Sequence, residues 1–407
     1  MRLPQNVRER RAQDQYFDGA TSGRETYHVP LQVKPLFRVV AVKMSGAAQS
    51  GADEGFVYVR CGGTMSTMKT YLSSGDVFLG HRIVGEHPER PERLQAIEAA
   101  IDSSELVGRF RRIPPRRATE EELLRVHTAP YLADLRQRMG DLQPKGQGWL
   151  DPDTYYGPGT YSAVMHAAGT ASDLALRIAS SDGDNGFALV RPPGHHASQE
   201  RAMGFCLLNN VAIAAAAVRA TGRRVAIVDF DVHHGNGTEE IFARDGGVLV
   251  ISLHQFPFYP GSGAATSIGE GNGRGAILNI PLPESSAGPE YKLAFKKVVL
   301  PALRRFAPDM ILVSAGFDGH AQDSLAGMGL VEEDYAHMVS SLLAVQARLL
   351  LVLEGGYNTK ALAASVLAVL RVLIDPSSFR PSGHDAGTVP SDAVRRALTE
   401  VQKLHGL

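Results

Sequence analysis

The chain has 407 residues, 44% hydrophobic and 21% charged, with a formal net charge of −1, a composition that fits one large α/β domain or two smaller ones. The charge gives no argument for wholesale binding to nucleic acid or to an anionic membrane, and no run of about 20 apolar residues exists to span a bilayer. Only Cys61 and Cys206 occur, which excludes a disulfide framework and fits a reducing, cytoplasmic compartment.

Residues 1–67 read as a poorly ordered N-terminal extension. No apolar core follows the first basic residues, as a secretory signal would require, and Glu9, Asp14, Asp18 and Glu25 argue against a transit peptide. The segment 44–55 is small and polar. Met65 and Met68 could each serve as an alternative start. From Met68 onward the pattern is orderly. HPERPER (87–93) is a proline-punctuated loop leading into a helix with Leu94, Ile97 and Ile101 on one face. A helix over 119–138, a long Pro- and Gly-rich loop over 144–160 and an alanine-rich helix over 160–180 follow. Then strands at 187–190, 225–229, 248–252, 277–280, 310–315 and 349–353 alternate with helices at 208–220, 238–243, 289–306, 332–347 and 360–373. This alternation predicts a parallel sheet covered on both faces, in a catalytic domain spanning 68–375. The remaining 376–407 is a loop and one amphipathic helix, with Val394, Leu398, Val401 and Leu404 on the face that packs against the same domain.

Polar clusters follow the apolar strands. After 187–190 come His195 and His196; after 225–228 come Asp229, Asp231, His233 and Asn236; after 310–315 comes Asp318; after 349–353 come Glu354 and Tyr357. In a parallel sheet all carboxyl ends share one edge, so four separated segments converge on one crevice. Asp231 and His233 are two apart and point to the same side of extended chain. An oxygen and an imidazole nitrogen aimed together begin a zinc site, and Asp318 is the natural third ligand. Three protein ligands leave a place for water, whose pKa such a metal lowers to about 7. Taken alone, Asp318 reads equally as a helix N-cap. His195 and His196 follow a stiff Pro-Pro-Gly turn and suit a general acid–base pair, with Asp229 and Asn236 available to set their tautomers. Tyr357, in a Gly-Gly-Tyr turn, can donate to a developing oxyanion. Phe205 and Phe256, near Gly204 and Pro257, could wall a narrow apolar channel. Cys206 has no basic neighbour and reads as a buried small residue.

Together these segments resemble the histone deacetylase superfamily, which includes bacterial acetoin-utilization and acetylpolyamine deacetylases. The resemblance covers roughly 68–375. It rests on HPERPERL (87–94), VRPPGHHA (190–197), MGFCLLNN (203–210), VDFDVHHGNGTEEIF (228–242), ISLHQFPFYPGSG (251–263), LVSAGFDGH (312–320) and LEGGYN (353–358). The wording is similar to the class II branch. It implies an arginase-like three-layer α/β/α fold with a central, mostly parallel sheet of about eight strands. It implies Zn²⁺ on Asp231, His233 and Asp318, one ion per chain. It also implies a His195/His196 dyad backed by Asp229 and Asn236, with His196 as general base and acid, and Tyr357 polarising an acetyl carbonyl. Phe205 and Phe256 then match the tunnel walls. A structural K⁺ is implied at Asp229, Asp231, His233, Ser252 and Leu253, and a second near Phe242, Asp245 and Val248. Polyamine-selective members carry a Glu where Leu325 stands here, which weakens a polyamine reading. Residues 1–67 match no family pattern. The expected activity is hydrolysis of an acetylated amine, foremost N-ε-acetyl-lysine in proteins. The alternatives are an acetylpolyamine or other small acetamide as substrate, or a non-catalytic acyl-binding scaffold.

Overall fold

Runs of Val, Ile and Leu build the sheet, and their near-continuous hydrophobicity marks strands covered on both faces. The computed structural model describes residues 68–140, 146–383 and 387–407; the extension expected over 1–67 lies outside the described residues. The strands are β1 (Thr70–Ser73), β2 (Arg111–Arg112), β3 (Gly148–Trp149), β4 (Tyr155–Tyr156), β5 (Asn185–Ala188), β6 (Val225–Asp229), β7 (Val248–Gln255), β8 (Ile277–Leu282), β9 (Met310–Ala315) and β10 (Leu349–Leu353). Eight of them form one sheet in the order β2-β1-β5-β10-β9-β6-β7-β8, every pair parallel. β3 and β4 form a separate antiparallel pair. Helices Thr160–Ala179 and Asn210–Arg219 pack together against strands of the sheet, and Glu92–Asp102, Glu332–Leu343 and Thr359–Ile374 form a second packed group. The result is the α/β/α layering expected from the alternation.

One register row fixes where the chemistry sits. Ser73, Ala188, Val352, Ser314, Asp229, Ser252 and Asn279 lie side by side across seven strands. Apolar residues precede this row in β6, β9 and β10, and Asp231, Asp318 and Glu354 follow within two to four positions of it. The carboxyl ends of β5, β10, β9 and β6, neighbours in the sheet, therefore open onto the same edge.

Three expectations about elements need correction. The helix expected over 119–138 is two helices, Glu120–Leu124 and Ala129–Gly140. Pro130 lacks the N–H that a continuous helix needs there, and fits instead at the start of the second helix. The strand expected at 187–190 pairs two residues earlier, at Asn185–Ala188. The helix expected over 289–306 contains a wide turn at Phe295–Val299 ahead of Pro301. Pro301 leaves the Lys297 carbonyl without its helical donor, and the Gln402 amide from the C-terminal helix supplies one at 3.1 Å. That helix, Asp392–His405, buries Val394, Leu398 and Val401 as its periodicity predicts, but Leu404, expected on the same face, is exposed, and His405 is buried in the last turn instead.

The HPERPER loop does more than start a helix. Glu89, Arg93 and Arg191 are all fully buried. Arg93 lies 3.1 Å from Glu89, and Arg191 meets both Glu89 oxygens, one at 2.7 Å. Burial opposes the Glu89 charge, but Arg191, His81 and Arg93 together outweigh it and hold the carboxyl well below its usual range. Arg93 then donates to the carbonyls of Glu354 and Gly356, each at 2.6 Å, and so ties the first loop to the end of β10. Glu89→Ala strands two guanidinium groups in the core. It should lower unfolding free energy by about 3–5 kcal/mol in chemical denaturation; a loss under about 1 kcal/mol would show that the cluster is not needed for stability.

Candidate active site

Two carboxylates and an imidazole meet beyond β6 and β9. Asp231 and His233 come from the loop after β6, and Asp318 from the loop after β9. Their ligand atoms all lie within 4.8 Å of one another. His233 Nδ1 stands 3.1 Å from Asp231 Oδ1 and 3.2 Å from Asp318 Oδ2. Backbone amides hold the carboxylates: Val232 N–H donates to Asp318 Oδ1 at 3.0 Å, and Gly355 N–H to Asp231 Oδ2 at 2.9 Å. Asp318 Oδ2 is buried and has no hydrogen bond. Burial and the Asp231 charge push the Asp318 carboxyl up to about 6. Burial opposes charge on His233, but Asp231 and Asp318 override it and raise its pKa to about 10. The site thus demands positive charge at the point where the three ligand atoms converge. An unsatisfied carboxylate oxygen, a second carboxylate and an imidazole nitrogen facing one point fit a small divalent cation. Asp231, His233 and Asp318 are the residues that could hold it.

The glycines nearby are there for clearance. A Cβ at Gly355 would strike the Asp318 and Asp231 carboxylates, and one at Gly316 would strike Asp231.

His195 and His196 follow β5, both buried, with ring centroids 4.0 Å apart. His195 Nδ1 lies 2.9 Å from Asp229 Oδ2, and His196 Nδ1 lies 2.8 Å from Asn236 Oδ1. Each partner fixes one nitrogen and leaves Nε2 free of it; the Asn236 oxygen, as acceptor, puts the His196 proton on Nδ1. Burial works against charge on His195, yet Asp231 and Asp229 hold its pKa up at about 10. Burial and the neighbouring His195 and His233 charges push His196 the other way, well below its ordinary value. Two adjacent histidines thus have opposed proton affinities, as an acid–base pair needs. Gly204 adopts φ 57°, and a Cβ there would strike the His196 ring.

Tyr357 follows β10. Its N–H donates to Asp323 at 2.6 Å, its side chain is half-buried, and its ring meets the Phe205 ring edge-on at 5.8 Å. Burial and the Asp318 charge keep the phenol protonated, with its pKa well above 10. Leu325 is half-buried in the loop after Asp318, its N–H on Asp323. Cys206 is fully buried and burial raises its thiol pKa, which agrees with a packing residue.

The expectation for Phe256 needs correction. Its ring meets His254, at 6.4 Å. The rings beside the site are those of Phe258, stacked on His233 at 5.4 Å, and Tyr259, edge-on to His196 at 5.3 Å. The sequence FPFYPG offers three aromatics, and only the path of the chain through Pro257 and Pro260 decides which one turns inward. Sequence reasoning also missed Asp323 and Arg93, and it brought Glu354 to the crevice without giving it a role. Glu354 Oε2 accepts from Gly194 N–H at 2.6 Å and from His195 N–H at 3.2 Å, so it anchors the histidine loop. Burial lifts its carboxyl to about 7. The spacing of LEGGYN carries no signal for that backbone contact.

The residues proposed for potassium lie on β6, β7 and the loop after β6. Asp229 and Ser252 are register neighbours. His254 Nε2 sits 2.9 Å from the Gly263 carbonyl and so carries the ring proton; its Nδ1 then accepts the Ser252 hydroxyl hydrogen at 2.9 Å. The Ser252 lone pairs are left for another partner.

Residues 87–373 match the histone deacetylase domain model. The chain is 41% identical over 324 residues to Histone deacetylase 15 of Arabidopsis thaliana, a match covering 77% of this chain and 57% of that protein. It is 41% identical over 299 residues to the histone deacetylase-like amidohydrolase of Pseudomonas aeruginosa, covering 70% of this chain and 77% of that one. The crystal structure of the HDA15 HD domain superposes with a TM-score of 0.77 at 38% identity, covering 84% of this chain and 95% of that domain. The chain belongs to the histone deacetylase family. It is accordingly a hydrolase acting on amide bonds, on an arginase/deacetylase-like α/β fold.

Gly355→Ala forces the two carboxylates apart and should cut amide hydrolysis by at least about two orders of magnitude. Steady-state kinetics on the purified variant checks this; activity within a few-fold of wild type would mean that the carboxylate pair tolerates being moved.

Proposed function

We propose that the protein is a zinc-dependent deacetylase that hydrolyses N-ε-acetyl-lysine in proteins to acetate and free lysine. The observation that carries this is the unsatisfied Asp318 oxygen facing Asp231 and His233, with a histidine pair and a tyrosine beside it. Asp231, His233 and Asp318 would hold the ion. When bound, zinc supplies a Lewis acid for the carbonyl oxygen and acidifies a water.

The chain's own residues do the rest. The acyl-lysine stem passes Phe205 and Tyr259. The Tyr357 hydroxyl donates to the carbonyl oxygen and stabilises its negative charge as the carbonyl carbon becomes tetrahedral. His196 Nε2 takes a proton from the attacking water and passes it to the departing amine. His195, charged and held by Asp229, orients its neighbour and adds positive charge to the site. The Ser252 lone pairs, with the carbonyls of Asp229, Asp231, His233 and Leu253, suit a structural K⁺. Phe242, Asp245 and Val248 are the weaker second site. The low cysteine count supports a reducing, cytoplasmic location, and among the described residues no helix is long and apolar enough to cross a membrane.

Leu325 favours a protein lysine over a polyamine, because it offers an apolar contact where a carboxylate would be needed to read an internal ammonium. Tyr357→Phe should lower kcat on an acetyl-lysine peptide by about 10²–10³ with little change in KM. Wild-type kcat in that variant would remove the tyrosine from the chemistry. A wild-type enzyme that hydrolyses acetylpolyamines but not acetyl-lysine peptides would overturn the choice of substrate.

A further inference from the structure

A run of aromatic rings leads outward from the site. Tyr357 meets Phe205 edge-on at 5.8 Å, Phe205 meets His87 at 4.7 Å, and His87 meets Trp149 at 6.2 Å. Trp149 ends the run and is 49% exposed. It sits on β3, paired in register with Tyr155 of β4. His87 cannot use its nitrogens for a ligand. Its Nδ1 accepts the Glu89 N–H at 3.1 Å, and its Nε2 meets the Asp153 carbonyl at 3.2 Å. It therefore offers only its ring face.

Two carboxylates share this rim. Asp151 and Asp153 are half-buried on the turn between β3 and β4. Burial and the Asp151 charge raise the Asp153 pKa. Asp153 Oδ1 accepts the Gly204 N–H at 3.0 Å, next to Phe205, and burial together with Asp153 and Asp151 raises the pKa of the Tyr259 phenol beside His196. Neither has a Lys or Arg partner among the described residues. An exposed indole beside carboxylates that are held by N–H and O–H donors but by no cation attracts one, which the ring quadrupole holds over its face.

We propose that Trp149, with Asp151 and Asp153, forms an outer subsite for a positively charged group carried by the substrate close to its acetylated amine. This rests on the deacetylase reading and extends it to the residues flanking the acetyl-lysine. The cation is an ammonium or guanidinium, on a neighbouring Lys or Arg of a peptide or on the far end of an acetylated diamine.

The test uses the full chain and three probes: a peptide with Arg beside the acetyl-lysine, the same peptide with Ala there, and a mono-acetylated diamine. The wild type should favour the Arg peptide over the Ala peptide by about 5-fold in kcat/KM, expressed in KM. Trp149→Ala should bring the Arg peptide down to the level of the Ala peptide, and Trp149→Phe should keep part of the preference. Loss on the diamine as well extends the subsite to small ammonium compounds; loss on the peptide alone confines it to a flanking side chain. Trp149 is the only tryptophan, so its emission reports binding directly. Titrating the Arg peptide into the Tyr357→Phe protein should shift that emission at lower concentration than the Ala peptide does. A wild type indifferent to Arg, a preference that survives Trp149→Ala, or equal emission titrations with both peptides overturns the subsite. A wild type that hydrolyses none of the three probes refutes the deacetylase reading instead, and the emission titrations then decide the subsite by themselves.

Discussion

Two like charges buried side by side are the constraint on which this structure turns. Asp231 and Asp318 point ligand atoms at a common point within 4.8 Å, in a place that water barely reaches. At that spacing their repulsion is on the order of 4 kcal/mol for an effective dielectric near 20, before desolvation is counted. The protein alone meets it by drawing a proton onto His233 and lifting Asp318 to about 6. A divalent cation cancels both charges at once. The surrounding architecture reads as what is needed to keep that unfavourable arrangement in place: backbone amides from Val232 and Gly355, glycines where a side chain would push the carboxylates apart, and a parallel sheet whose ends deliver the loops together.

The frame behind the site is electrostatic too. The Glu89, Arg93 and Arg191 cluster connects the first loop of the domain to the carbonyls of Glu354 and Gly356. Glu354 in turn holds the amides of Gly194 and His195. The histidine loop and the tyrosine loop are thus linked through buried polar contacts rather than through apolar packing. Such contacts are directional, so they set geometry where van der Waals contacts would allow drift.

Much of this was legible before any coordinates. Each apolar run followed by a polar cluster reported a strand end, and parallel strands put strand ends on one edge. That logic needs only residue type and order, which is why Asp231, His233, Asp318, His195, His196 and Tyr357 could be gathered from segments more than 160 positions apart. What failed were decisions made by tertiary path. Which of Phe256, Phe258 and Tyr259 faces inward depends on a proline-rich turn, and local pattern is silent on it. Pro130 did carry a signal for the broken helix, but periodicity over 119–138 masked it. Asp323, Arg93 and Glu354 act on backbone groups, and no side-chain motif encodes a partner of that kind.

The central claim is that Asp231, His233 and Asp318 hold one divalent cation. Metal analysis of the purified protein, alongside an Asp318→Asn variant, tests it most directly. The account requires about one zinc per chain in the wild type, with affinity reduced at least about 10-fold in the variant. Wild-type protein that retains no divalent metal after incubation with zinc and desalting, or an Asp318→Asn variant that retains the same amount, would contradict it.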